Sequence, residues 1–279
     1  NGIPVRIKVT VEPEEGMIEL DLTDNIDNLP AGLNESRTCS MATVMIGLFN
    51  SIDPDIPHND GTFRRIKIKL REGSVAGIPV FPHSCSVATT NVAERLVVTT
   101  QRAIADEWDG YGLAEGSCAI GPGFAVVSGN DRRRDGSPYV NQKFLGSQGG
   151  PAGPEVDGWL TFGNAVTNGL MFRDSIEIDE QKYPVRISEL RIRPDSEGAG
   201  RRRGAPGTRV TYGPKWDTMT AAYVTDNHFF PPKGARGGGD GAASIPFKVL
   251  PDGTEEPLDP IAQVDLVAGE LLGQLLSGG

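Results

Sequence analysis

Apolar and polar residues alternate along Val5-Ile7-Val9-Val11 and again along Met17-Ile18-Leu20-Leu22, with Glu12-Pro13-Glu14-Glu15-Gly16 between them. A period of two with turn residues at its centre predicts a half-exposed antiparallel hairpin. Over residues 35–52 the spacing becomes helical, with Met41, Val44, Met45, Leu48, Phe49 and Ile52 on one stripe, ending before Pro54. Residues 63–70 alternate again, placing Ile66, Ile68 and Leu70 opposite arginine and lysine. Residues 87–108 form a long run without glycine or proline, in which Val92, Leu96, Thr99, Thr100, Ala103 and Trp108 approximate an amphipathic helix. The Val97-Val98-Thr99-Thr100 segment would also suit a strand. From Gly110 onward, short strand-like stretches are separated by glycine: residues 124–128, 139–145, 185–192, 209–212, 220–224 and 246–249. Within 185–192 the alternation slips once, the signature of a β-bulge. Regular strand–helix alternation is absent, so the expected class is α+β: mostly antiparallel sheet, a few helices and glycine-rich loops. The glycine-rich 110–123 stretch is the one candidate seam within 1–279.

The composition narrows the function classes. Thirty-six glycines and 21 prolines in 279 residues make about 20% of the chain, high for a globular protein but below a low-complexity polymer. A formal charge of −10 without a long basic face disfavours nucleic-acid and anionic-membrane partners. Cys39, Cys85 and Cys118 are odd in number, far apart and free of a CxxC pair, so neither a disulfide framework nor a structural zinc site is expected. No apolar run reaches membrane-spanning length. A cytoplasmic protein is the expectation.

Candidate chemistry gathers after the 185–192 strand. Gly198, Gly200, Gly204 and Gly207 surround Arg201-Arg202-Arg203, a loop that displays backbone amides beside guanidinium groups and so suits an anion. An arginine-rich surface turn is the plainer reading. The GxGxxxG spacing with Pro206 is unlike a dinucleotide fingerprint. Upstream, Glu177 and Glu180 stand three apart, a spacing that in a helix would put both carboxylates on one face, where they are the best acid/base candidates or a solvated surface. His58, His83 and His228 lack metal-ligand spacing, so no metal is assigned to this chain. No GxSxG nucleophile elbow and no GxxxxGK[ST] phosphate loop occurs.

Several of these stretches are familiar in order as well as in content. Asp195-Ser196-Glu197-Gly198-Ala199-Gly200-Arg201-Arg202-Arg203-Gly204 resembles the "DSGGAGRYRGG" signature of the hydantoinase B/oxoprolinase family, with Glu197 and Arg202 departing from it. Asp21-Leu22-Thr23-Asp24 resembles "DFTG", Asn34 the asparagine that follows it, and the segment from Pro54 to Gly61, containing Asn59, resembles "PDIPxNxG". Glu72-Gly73-Ser74 resembles "PEGS", Gly149-Gly150-Pro151-Ala152 with Asp157-Gly158 "GGxGA…DG", and Glu177, Glu180, Tyr183 and Pro184 "ExxExxYP"; Pro231-Pro232 and the glycines after them resemble "PPxGxxGGxxG". Arg173-Asp174-Ser175 stands where the family has "NTP".

The resemblance spans the chain but only the family's C-terminal half. It implies part of the B-type subunit of an ATP-dependent cyclic amide hydrolase acting on a hydantoin, oxoproline or lactam, within a hetero-oligomer. A ketone carboxylase subunit and a noncatalytic scaffold chain are the alternatives. The resemblance further implies ATP and Mg²⁺ on an A-type partner, and a divalent metal, Zn or Mn, on the N-terminal half, which a split or truncated polypeptide would lack. Glu177 and Glu180 would then be the catalytic candidates, with Asn34, Asn59, Asp195, Arg201 and Arg203 binding substrate or anion.

Overall fold

A computed structural model describes residues 2–86, 88–116 and 121–279; Cys118, residue 87 and part of the 110–123 seam lie outside them. The strands are β1 (Lys8–Glu12), β2 (Met17–Asp21), β3 (Ile66–Lys69), β4 (Val126–Asp131), β5 (Ser137–Gln142), β6 (Val185–Ile192), β7 (Thr208–Pro214), β8 (Met219–Val224), β9 (Ile245–Val249), β10 (Glu255–Pro257), β11 (Ile261–Leu266) and β12 (Leu271–Leu275). The helices are α1 (Arg37–Phe49), α2 (Asp60–Phe63), α3 (Val92–Glu107) and α4 (Ile176–Lys182).

Three sheets result, ordered β1-β2-β3, β10-β9-β12-β7-β6 and β11-β8-β4-β5. All pairs are antiparallel except β2 with β3, which needs the crossover that α1 and α2 supply. The expected hairpin pairs Lys8 with Asp21 and Glu12 with Met17. The expected bulge falls between Ile187 and Glu189, where β6 shifts register against β7.

Two cores hold the layers together. In the first, Leu20 and Leu22 from the β1–β3 sheet meet Val44 and Leu48 of α1 and Leu96 and Ile104 of α3, all buried. The strand reading of Val97–Thr100 is thereby overturned: both valines are buried within α3, and burial on one side of a helix requires the 3.6 period. Ser36 starts α1 by accepting from the Cys39 N–H at 3.1 Å, one of the orphan amides at a helix start. The second core is a sandwich. Val127, Met219, Ala221 and Leu266 from the four-stranded sheet face Val185, Val210, Tyr212 and Leu272 from the five-stranded one, so apolar alternation on both sheets finds its partner face.

Glu35, just before α1, is fully buried, and neither carboxylate oxygen has a hydrogen-bond partner. Burial pushes this carboxyl up to about 7, and the nearby Ser40 hydroxyl donates to the Gly77 carbonyl instead. The folded chain therefore keeps a proton that the unfolded chain releases above its ordinary value of 4.5, and stability falls as pH rises between those two values. The expected loss is roughly 3 kcal/mol. Urea unfolding across that range should show the decline in the native chain and a flatter profile in Glu35→Gln; parallel profiles would refute the assignment.

Candidate functional site

The short helix α4 does form, and it separates the two glutamates that share its sequence motif. The Ser175 hydroxyl accepts from the Ile178 N–H at 3.5 Å and donates to Glu177 Oε2 at 2.8 Å. Glu177 faces solvent, and its own backbone N–H together with Ser175 holds the carboxyl below the usual range. Glu180 is tied into the fold instead: Oε1 accepts the Ile187 N–H at 2.8 Å and Oε2 lies 3.3 Å from Lys215 Nζ, which also donates to the Glu180 carbonyl. It clips α4 to the start of β6.

Between them Asp179 turns inward, 5% exposed. Its Oδ1 lies 2.9 Å from Nζ of Lys143, whose side chain is fully buried, and that ammonium sits 4.7 Å from the centre of the Tyr183 ring. Burial, and the Asp174 carboxyl beside it, push Asp179 above the ordinary carboxylate value, against the pull of Lys143. Asp174 in turn accepts the Phe144 N–H at 2.9 Å. The residues between β5 and β6 are thus pinned by a buried acid–base cluster, which a solvent-facing view of the Glu177 to Lys182 charge run missed.

The other expected site residues fall apart in space. Asn34 is buried: its Oδ1 accepts the Leu29 N–H at 2.8 Å, while Nδ2 donates to the carbonyls of Leu29, Ala31 and Ser84, which makes it a loop clasp. Asn59 caps α2 by accepting the Thr62 N–H at 3.2 Å. Asp195 is exposed in the left-handed region, at φ 57°, where the chain leaves β6 for the arginine loop. The histidines go separate ways: His58 packs on Phe49, His83 Nδ1 lies 2.9 Å from the Val80 carbonyl, and His228 Nδ1 lies 2.8 Å from the Ser244 carbonyl. Among the described residues no three His, Cys, Asp or Glu side chains converge as a metal requires.

The arginine loop borders a cleft of about 370 Å³, walled by Asp109–Leu113, by Gly198–Arg202 and by Lys233–Gly239. Its three arginines are not equivalent. Arg202 lies 3.7 Å from Glu155, and Arg203 lies 3.7 Å from Asp157, whose Oδ1 also accepts the Arg203 N–H at 3.0 Å. Arg236 is paired with Asp109, and Lys233 with Asp240. Arg201 has no ion pair within 4 Å among the described residues. Backbones meet beneath the loop so closely that a Cβ on Gly204 would strike the Gly279 carbonyl, and one on Gly149 the Ala205 carbonyl. Tyr111, Lys233 and Arg236 carried no local signal, because they reach the cleft from distant segments.

The sequence model of the hydantoinase B/oxoprolinase family matches residues 1–279. An uncharacterised protein of Methanocaldococcus jannaschii is 29% identical over 99% of this chain and 46% of its own length. The caprolactamase subunit beta of Pseudomonas jessenii is 25% identical over 84% of this chain and 40% of its own. The crystal structure of the ATP-dependent caprolactamase from Pseudomonas jessenii superposes with a TM-score of 0.80 at 22% identity, over 99% of this chain and 48% of that one. Nucleotide-free acetone carboxylase superposes at 0.78 with 13% identity, over 98% and 40%. The chain spans less than half the length of each.

Proposed function

The chain belongs to the hydantoinase B/oxoprolinase family, and from that premise we propose that it is the C-terminal-half portion of a B-type subunit that opens cyclic amides with ATP. The carrying observation is that the family match runs through the whole chain while the fold covers only about half of a caprolactamase chain. An amide carbonyl resists water until its oxygen is phosphorylated. Once it is, water adds at the carbon, the ring C–N bond breaks, and the resulting acyl phosphate is hydrolysed to carboxylate and phosphate. In this proposal the A-type partner handles ATP and Mg²⁺, the N-terminal half carries the divalent metal, and this chain contributes surface and polar groups.

Glu177 is the solvent-facing carboxylate available to orient a substrate or a basic group of the other half; Glu180 positions the helix that carries it. A carboxyl held below its ordinary range is a weak general base near neutrality, so orientation is the role assigned. Glu177→Gln should lower turnover of the assembled complex about tenfold, the loss of one charge-assisted hydrogen bond, with thermal unfolding unchanged. Unaltered turnover would return Glu177 to the solvated face.

The subunit reading is tested by reconstitution with ATP and a lactam. Residues 1–279 alone should be inactive, and activity should need both the A-type subunit and the remaining half that the relatives contain; turnover by residues 1–279 alone would overturn the proposal. The likeness of fold to acetone carboxylase supports a second reading, in which the same assembly joins bicarbonate to a ketone. Bicarbonate-dependent ketone consumption without lactam hydrolysis would select it, and a full complex inactive in both assays would leave a scaffold role.

A further inference from the structure

The cleft beside the arginine loop has features of a binding site that the two glutamates of α4 do not share. Its volume of about 370 Å³ lies in the range that holds small molecules. Four consecutive residues on one wall, Ala199, Gly200, Arg201 and Arg202, are exposed, and their backbone N–H groups meet no acceptor among the described residues. The neighbouring amides on either side do: Gly198 donates to the Gly279 carbonyl, and Arg203 to Asp157. On the facing wall, Lys233 and Gly234 donate to Glu115 and Asp240, and Arg236 to Asp106. Ala235 and Gly237 on that wall also lack an acceptor among the described residues, but they are separated by Arg236, so the one continuous run of unmatched donors is on the arginine wall.

The charges point the same way. Arg202, Arg203, Lys233 and Arg236 each have a carboxylate partner, whereas Arg201, which lines the cleft, has none. Asp109 also lines it, but its carboxylate is hydrogen-bonded and paired to Arg236, which with the more distant charge of Arg201 holds it below its usual range. Successive backbone N–H groups in a concavity bind anions, and a guanidinium adds a forked pair of donors matched to an oxyanion. The glycine-built base lets several backbones meet where side chains would not fit, so the wall is set by packed main chain and not by a loose turn.

The geometry points to an oxyanion-binding site in this cleft, taking the phosphate or carboxylate group of a small molecule on the amides of Ala199 to Arg202 and the guanidinium of Arg201. Arg202 and Arg203 would instead hold the loop in shape through Glu155 and Asp157. The inference holds whichever reaction the assembly performs.

The test uses the whole chain with inorganic phosphate and with acetate as separate probes, followed by amide chemical shifts and calorimetry. Saturable shifts at residues 199–202 are expected, stronger with phosphate if the natural ligand carries phosphate and stronger with acetate if it carries a carboxylate. Arg201→Gln should weaken binding about tenfold, as loss of a charge-assisted hydrogen bond does, and Arg201→Lys should weaken it less. Arg134→Gln, which removes the same charge from the β4–β5 hairpin, should leave it unchanged. Shifts that never saturate with either probe, or equal weakening by Arg201→Gln and Arg134→Gln, would mean general screening of a charged surface and overturn the site.

Discussion

Lys143→Met is expected to destabilise the chain by about 3–5 kcal/mol, the range for removing one partner of a buried ion pair. Lys143 is fully buried, and the charge it neutralises belongs to Asp179, with Asp174 close behind. Methionine fills much of the same space and keeps a contact for Tyr183, so the loss reports charge and not a cavity. Without the ammonium, Asp179 is left with burial and a like-charged neighbour, both of which favour its protonated form. The sign of the pH dependence follows: the folded variant holds a proton that the unfolded chain releases, so its deficit is smallest in mild acid and grows as pH rises. The double variant Lys143→Met/Asp179→Leu should recover most of the loss, because an apolar pair of similar volume is often as stable as the ions it replaces. Urea unfolding of the three proteins at mildly acidic and mildly alkaline pH measures both effects. A single-variant loss under about 1 kcal/mol, the scale of an exposed pair, would show that Lys143 is not held as described.

Gly149→Ala should cost about 3 kcal/mol or more, the upper end of overpacking penalties. The added Cβ would strike the Ala205 carbonyl, with the Gly279 amide and the Ala205 carbonyl carbon also close. These are main-chain atoms of two other segments, and neither can swing aside as a side chain does. Gly149 donates to the Ser277 carbonyl and Ala205 to the Gly150 carbonyl, so any movement that relieves the clash also breaks hydrogen bonds between buried groups. Gly16→Ala is the comparison. It has φ +62° and nothing within 4 Å, so only the left-handed conformation is penalised, by about 1 kcal/mol. Equal destabilisation by the two substitutions in urea would mean that the backbones beneath the arginine loop are not in contact. Because that packing also shapes the cleft wall, Gly149→Ala should weaken phosphate binding as well.

Much of the architecture is legible from local pattern. The Lys8–Asp21 hairpin, α1, α3 and the β6 bulge follow from periodicities of 2 and 3.6 that each segment carries within itself. Strands β10 to β12 escaped the same reading. β10 is three exposed residues ending in proline, while β12 is a central strand interrupted by Gly273, which Phe247 covers closely, so neither alternates in the way a half-exposed strand does.

The site residues divide along the same line. The sequence by itself determined that carboxylates would cluster on α4 and that arginines and glycines would share a loop, because those are neighbours along the chain. Only the tertiary structure decided that Glu177 faces water, that Glu180 and Asp179 are tied to Ile187, Lys215 and Lys143, and that Arg201 alone of its triplet is left without a carboxylate partner among the described residues. The physical reason is range. Helix and strand periods arise from bonds a few residues apart, whereas burial and charge pairing depend on which distant segment the fold lays alongside, and in this chain those segments are the β5 exit, the β7–β8 turn and the Glu155–Asp157 loop.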